Sequence, residues 1–170
     1  LTEAMAPVAV AQAVLVSLAF ACLITVFARS DMSVLLVAAN SHSAKPMIYK
    51  ISGTWGNHEG SMLLWVTILG MAGATIALFE RKLRADARLA TLAAQAAIAL
   101  GFYAFLLFAS NPFTRIEGVV EGQGLNPLLQ DPGLAFHPPT LYAGYVGMSA
   151  AFSFAVGALI TRDVGPEFAR

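Results

Sequence analysis

The sequence contains little charge and almost no cysteine. Only 12% of its 170 residues are Asp, Glu, Lys or Arg, whereas about 25% is typical of soluble domains. The formal net charge is zero, so the chain lacks the basic surface that binds nucleic acid, and we expect no nucleic-acid partner. Its single cysteine, Cys22, excludes an internal disulfide, and there is no Cys-x-x-Cys-His motif of a c-type cytochrome.

Hydrophobic residues make up 58% of the chain and are concentrated in long runs. A helix of about 20 apolar residues crosses the hydrocarbon core of a bilayer. Four segments are long enough and carry no charge: residues 7–28, 61–79, 89–110 and 140–160. We therefore predict an all-α membrane protein, a bundle of about four transmembrane helices in contact with lipid. We expect residues 1–170 to form a single membrane-embedded domain.

The basic residues are distributed unequally between the connections. The short connection 80–88 contains four of them, and the tail 161–170 contains two. The longer connections, 29–60 and 111–139, are sparser in Lys and Arg. The positive-inside rule places the short connection and the tail in the cytoplasm. The two longer loops are then outer loops, which in the inner membrane of a bacterium means periplasmic.

The first candidate site is the run Trp55-Gly56-Asn57-His58-Glu59-Gly60-Ser61. A continuous helix here places four side chains on one face: Trp55, His58, Met62 and Trp65. Such a face suits a large flat aromatic cofactor, although tryptophan is also enriched at membrane interfaces without any ligand. Glu59 does not belong to a zinc-protease motif, because the second histidine of His-Glu-x-x-His is missing.

The second candidate site is His137-Pro138-Pro139. The two prolines predict that no regular helix begins before them, so that His137 is held in a loop at the membrane interface. Neutral imidazole is a good ligand for haem iron, zinc and copper, but a lone loop histidine is also a common surface residue. Tyr142, about one turn further on, is either a hydrogen-bonding partner of this site or an interface anchor.

Three further patterns concern local structure. Residues 126–131 predict a short helical turn at the membrane surface, with Asn126 as cap and Pro127 at the first position. The short apolar run 33–39 is compatible with a strand and does not decide between states. Small residues at four-residue spacing predict a helix-packing face in the last segment: Ala143, Gly147, Ala151 and Ala155.

Three stretches together resemble the CcmF family of cytochrome c assembly proteins. They are residues 55–65 (WGNHEGSMLLW), 110–115 (SNPFTR) and 125–139 (LNPLLQDPGLAFHPP). The resemblance implies that the protein takes haem from a haem chaperone and delivers it to the Cys-x-x-Cys-His thiols of apocytochrome c. The resemblance further implies that a thiol-redox partner subunit takes part. It also implies that the chain is the amino-terminal part of a larger protein, a haem lyase subunit that forms thioether bonds.

The resemblance also assigns roles to individual residues. His137 is expected to be an axial ligand to the iron of a b-type haem at the outer face, with the second ligand outside this chain. Trp55, His58 and Trp65 are expected to shape the haem site. Further outer-face residues are expected to support it: Glu59, Asn126, Asp131 and Tyr142.

Two alternatives compete with this interpretation. The chain is either a cofactor-free membrane scaffold that docks partners of the same assembly, or a small b-type cytochrome in which His58 and His137 bind one iron. The second alternative requires the outer ends of the second and fourth helices to be neighbours, which the sequence does not establish.

Overall fold

The structure, a computed structural model, describes residues 2–80, 82–162 and 164–165. Within these residues, six α-helices and one 3-10 turn follow in chain order: α1 (Thr2–Ala28), α2 (Leu35–Asn40), α3 (Met47–Gly53), α4 (His58–Phe79), α5 (Ala85–Phe108), the 3-10 turn (Pro127–Leu129) and α6 (Pro132–Thr161). Four of these helices, α1, α4, α5 and α6, are long and apolar enough to cross a membrane. The predicted all-α fold with about four spans is confirmed.

The four long helices form a bundle in which α4 packs against α1, α5 and α6. Leu23 and Phe27 of α1 and Val66 of α4 are fully buried in this core. The outer surface of the bundle is also apolar, and Leu100 and Leu159 are 69% and 78% exposed. Exposed leucines of this kind are expected on helices that face lipid, since lipid tails are as apolar as leucine.

The bundle has two different ends. At one end, α4 and α5 are joined by the short connection 80–84, which we call the turn end. At the other end lie the long connections, residues 29–57 and 109–131, which contain α2, α3 and the 3-10 turn. We call it the loop end. Both candidate sites lie there, since α4 begins and α6 starts at this end.

The long connections are folded onto one another. Val34 forms an isolated antiparallel bridge with Arg115, and the following run, which the sequence left undecided, is the short helix α2. Residues 122–124 cross the end of α2, where Gln123 N donates to Ala38 O at 2.8 Å. The loop end is therefore a structured layer over the bundle.

Glu121 connects the two long loops of this layer by hydrogen bonds. Its carboxylate accepts hydrogen bonds from Ser43 N at 3.0 Å, from Ser43 Oγ and from Gly122 N at 2.9 Å. These bonds favour the ionised form and lower the pKa of Glu121 to about 2, with the Ser43 hydroxyl as the largest cause. The carboxylate thus links the two long connections.

We expect the link at Glu121 to be pH-dependent. A carboxyl whose pKa is lower in the folded state stabilises above its unfolded pKa and loses that contribution as pH falls through its folded pKa. Amide hydrogen exchange at residues 122–124 should therefore accelerate as pH falls from about 4.5 towards 2, after correction for intrinsic rates. Glu121→Gln should exchange faster already at neutral pH, whereas Glu117→Gln, a change at an exposed carboxylate, should not.

Helix α6 begins at Pro132, before the proline pair 138–139, although the pair predicts that no regular helix begins earlier. Asp131 Oδ1 accepts a hydrogen bond from Gly133 N at 2.8 Å, the arrangement of a helix N-cap with Pro132 at the first position. The helix then continues through the proline pair at 138–139. The prediction that His137 lies in a loop before the helix is therefore wrong: His137 lies within the helix.

The predicted small-residue packing face of α6 does not pack against the described part of the chain. Its four residues, Ala143, Gly147, Ala151 and Ala155, are exposed. The buried face of α6 includes Val146, Ser153 and Gly157 instead. This face packs against α5, where Ser153 Oγ donates to Gln95 Oε1 at 2.7 Å. A buried amide between apolar helices needs such partners.

Candidate functional site

The turn between α3 and α4 is fixed by Asn57. Its side-chain oxygen accepts a hydrogen bond from Gly60 N at 2.7 Å and so caps α4, while its Nδ2 donates to Gly53 O at 2.7 Å. Gly60 packs so closely that a Cβ there would lie 1.6 Å from Thr54 O. The sequence Asn-His-Glu-Gly therefore makes a sharp, rigid entry into α4.

His58 is the first residue of α4, and its ring is held on two sides. The ring meets the ring of Phe105 edge-on, with centroids 5.8 Å apart, and Nδ1 lies 3.1 Å from Ser110 Oγ. The hydrogen bond to Ser110 occupies Nδ1, so Nε2 is the ring nitrogen left for a ligand. Sequence reasoning did not single out Ser110 or Phe105 as partners of His58, because their proximity depends on how α5 packs beside α4.

Trp55 does not continue the helical face of His58 and Trp65 as predicted, because α4 begins only at His58. Its indole N–H instead donates to the backbone oxygen of Ala135 in α6 at 3.0 Å. Its ring stacks on Phe20 of α1, with centroids 6.3 Å apart. Trp55 thus ties three parts of the bundle together at the loop end.

A cavity of about 280 Å³ lies between α3, α4 and α6. Trp55, His58, Pro138 and Tyr142 contribute to its wall, together with Ser52, Gly56, Asn57, Ser61, Leu125 and Leu129. Clefts that enclose drug-sized ligands have volumes of about 300–1000 Å³. This cavity accommodates a small group or one edge of a large cofactor, not a whole macrocycle.

His137 does not line this cavity. It lies in the second turn of α6, and its ring is exposed and makes no hydrogen bond with the described residues. At 3.6 residues per turn, His137 shares a face of α6 with Leu141 and Gly144, while Pro138 and Tyr142 face the cavity. A shallow apolar groove of about 370 Å³ follows His137 on that outward face, lined by Thr140, Leu141, Gly144, Tyr145 and Met148.

The other predicted site residues have different positions. Trp65 is packed between Phe102 and Tyr142, with ring centroids 5.7 and 5.5 Å away, and does not reach the cavity. Asn126 caps the 3-10 turn by accepting from Leu128 N at 3.0 Å, as predicted. Two acidic residues lie at helix starts, where a negative charge is favourable: Glu59 in the first turn of α4 and Asp131 before α6.

Among the described residues, no three of His, Cys, Asp and Glu come together as a metal-binding group. The ends of α4 and α6 at the loop end are neighbours, as a shared iron between His58 and His137 requires. The two histidines nevertheless face different sides, since His58 lines the cavity and His137 does not.

The fold and the site define a multi-pass helical membrane protein whose candidate ligand-binding residues gather at one end of the bundle. Residues 55–167 match the family model described as cytochrome C assembly protein. The chain belongs to this family, as the resemblance of the three motifs predicted, and all three motifs lie within the matched region.

Curated relatives agree with this family. The chain is 56% identical over 165 residues to the cytochrome c-type biogenesis protein ccl1 of Rhodobacter capsulatus, covering 96% of this chain and 25% of that protein. It is 52% identical over 163 residues to CycK of Bradyrhizobium diazoefficiens, covering 95% and 25%. It is 44% identical over 154 residues to CcmF of Escherichia coli, covering 89% and 24%. The chain thus spans about a quarter of the length of these relatives. No solved structure matches it significantly.

Proposed function

We propose that this chain is the part of a cytochrome c assembly protein that holds a b-type haem at the loop end, with His137 as an axial ligand to the iron. The observation that carries the proposal is the exposed imidazole of His137, which lies on helix α6 and has no hydrogen-bond partner among the described residues. A neutral imidazole with a free ring nitrogen is the ligand that haem iron takes in many haem proteins. The residues present therefore fit the cofactor.

The surroundings of His137 support an open site rather than an enclosed one. The outward face of α6 below His137 is apolar and includes Gly144, where an added Cβ would meet nothing within 4 Å. The distance along the helix from His137 to Gly144 is about 10 Å, comparable to the breadth of a porphyrin ring. We propose that the macrocycle packs on this face, while Trp55, His58 and Tyr142 support α6 from its other side.

The residues of this chain supply position rather than reactivity. Its one thiol, Cys22, lies within the apolar helix α1, which is long enough to cross a membrane. When bound, haem supplies the vinyl groups to which the two thiols of an apocytochrome c add to form thioethers. His137 would hold the iron, and the apocytochrome would supply the thiols.

The proposed setting is the bacterial inner membrane, with the loop end in the periplasm. The excess of basic residues around the turn end, including Lys82, Arg84 and Arg88, supports this orientation. The proposed partners are a haem chaperone that supplies haem, a thiol-redox subunit that keeps the acceptor thiols reduced, and apocytochrome c.

The test is haem binding by the full-length protein with His137→Ala, followed through the Soret absorption. We expect haem affinity to fall more than about 100-fold, since even residues that only orient a metal ligand change metal affinity by 10–100-fold. Added imidazole should restore the absorption by replacing the missing ligand. Cytochrome c yield in cells should fall in parallel.

Two controls separate this proposal from its alternatives. His58→Ala should keep most of the haem affinity, because His58 lies on the cavity side of α6; an equal loss for both variants would instead indicate a shared iron. If His137→Ala left haem binding intact and abolished association with the partner subunits, the chain would be a scaffold and the ligand assignment wrong.

A further inference from the structure

Pro139 leaves the backbone oxygen of Ala135 in α6 without its helical donor. In a regular α-helix, Ala135 O would accept the N–H of residue 139, but Pro139 has no N–H. Ala135 is only 3% exposed, so water does not reach this oxygen freely. A buried carbonyl oxygen without a donor is unfavourable and normally finds a substitute.

The substitute comes from a distant part of the chain. The indole N–H of Trp55, 80 residues earlier, donates to Ala135 O at 3.0 Å. The indole is itself held by stacking on Phe20. A second side chain supports the same turn, since Thr140 Oγ1 donates to His137 O at 2.8 Å.

We propose that Trp55 is a positioning residue for His137. The hydrogen bond of Trp55 fixes the backbone at Ala135, two residues before His137, and thereby sets the direction in which the imidazole leaves the helix. In this role the indole acts through its N–H and from the opposite side of α6, not as an aromatic surface for haem. The inference rests on the proposed function of His137 as an iron ligand.

The experiment is a double-mutant cycle with Trp55→Phe and Pro139→Ala in the full-length protein. Trp55→Phe removes the N–H and keeps an aromatic ring on Phe20. Pro139→Ala returns a backbone N–H at residue 139, which can then donate to Ala135 O. Haem affinity and the Soret spectrum are measured for the four proteins, with and without imidazole.

We expect Trp55→Phe alone to weaken haem binding roughly tenfold, because it leaves a buried acceptor unpaired, and we expect imidazole to restore the spectrum. In the Pro139→Ala background the same change should alter affinity less than about twofold. An equal effect of Trp55→Phe in both backgrounds would contradict the proposal, since the indole would then act by another route. So would a loss that imidazole does not rescue, because it would reflect general disruption rather than a displaced ligand.

A haem-free measurement keeps this proposal separable from the proposed function. Ultraviolet resonance Raman spectroscopy reports the hydrogen bonding of indole N–H groups, and the difference from Trp55→Phe in the same background isolates the band of Trp55 from that of other tryptophans such as Trp65. Pro139→Ala should weaken the indole signal of the hydrogen bond, because the returned N–H competes for Ala135 O. If this competition occurs but His137→Ala leaves haem binding unchanged, the proposed ligand role fails, and with it the positioning role of Trp55. If His137→Ala abolishes haem binding and the cycle shows no coupling, only the role of Trp55 is wrong.

Discussion

Gly60→Ala is expected to abolish the native entry into α4. The added Cβ would lie 1.6 Å from Thr54 O and 2.9 Å from Asn57 Oδ1. Thr54 is fully buried, so its carbonyl group cannot move away without opening the turn between α3 and α4. Overpacking of a well-packed site commonly costs about 1–3 kcal/mol, and an overlap with the backbone itself should exceed that range.

The measurement is the free energy of unfolding in detergent, with haem binding as a second readout. Because Gly60 follows His58 by two residues and shares its turn with Trp55, we expect the variant to lose haem binding as well as stability. Gly101→Ala is the matched control, since an added Cβ there meets nothing within 4 Å. A Gly60→Ala protein as stable as Gly101→Ala would show that the turn is not built as described.

Gly157→Ala is expected to separate α5 and α6 towards the turn end. The added Cβ would lie 2.3 Å from Thr91 Oγ1 and 3.1 Å from Thr91 N. The contact between α5 and α6 at this point is buried, and Thr91 is fully inaccessible to solvent. We expect a loss of about 1–3 kcal/mol in the free energy of unfolding.

The same contact predicts a compensating change. Thr91→Ala removes the hydroxyl that collides, and the double variant with Gly157→Ala should recover most of the lost stability. Thr91→Ala alone should have a small effect, because its hydroxyl bonds only to Ala87 O of its own helix, at 2.9 Å. Gly147→Ala, on the exposed face of the same helix, is the control and should change stability by less than about 0.5 kcal/mol. Additive effects in the double variant would contradict the packing of Gly157 on Thr91.

Most of the fold follows from local properties of the sequence. The long uncharged segments require helices, because every backbone polar group in a bilayer must be satisfied within the segment. The caps at Asn126 and Asp131 follow from short-range hydrogen bonds of the kind that their residue types favour. Only the cap at Asn126 was predicted. The cap at Asp131 was missed because the prolines after His137 predicted a later start of α6.

The candidate site was predictable in its residues and not in their arrangement. The motifs brought attention to Trp55, His58 and His137, and the structure places all three at one end of the bundle. The sequence did not reveal that Trp55 bonds to α6, that His58 is held by Ser110, or that His137 faces away from both. The two contacts join residues that are far apart in the chain, and the direction of His137 depends on which face of α6 packs against the bundle. No local pattern of the sequence encodes these features.

The sequence by itself determined that this is a helical membrane protein of the cytochrome c assembly family and which residues its motifs mark. Hydrophobicity and motif identity are properties of the residues in order, and they need no neighbours in space. Only the tertiary structure decided which face of α6 is buried, because two faces carry small residues and the partners on α5 select one. It also decided that a helix runs through two prolines, because the donor that replaces the missing N–H of Pro139 is the indole of Trp55.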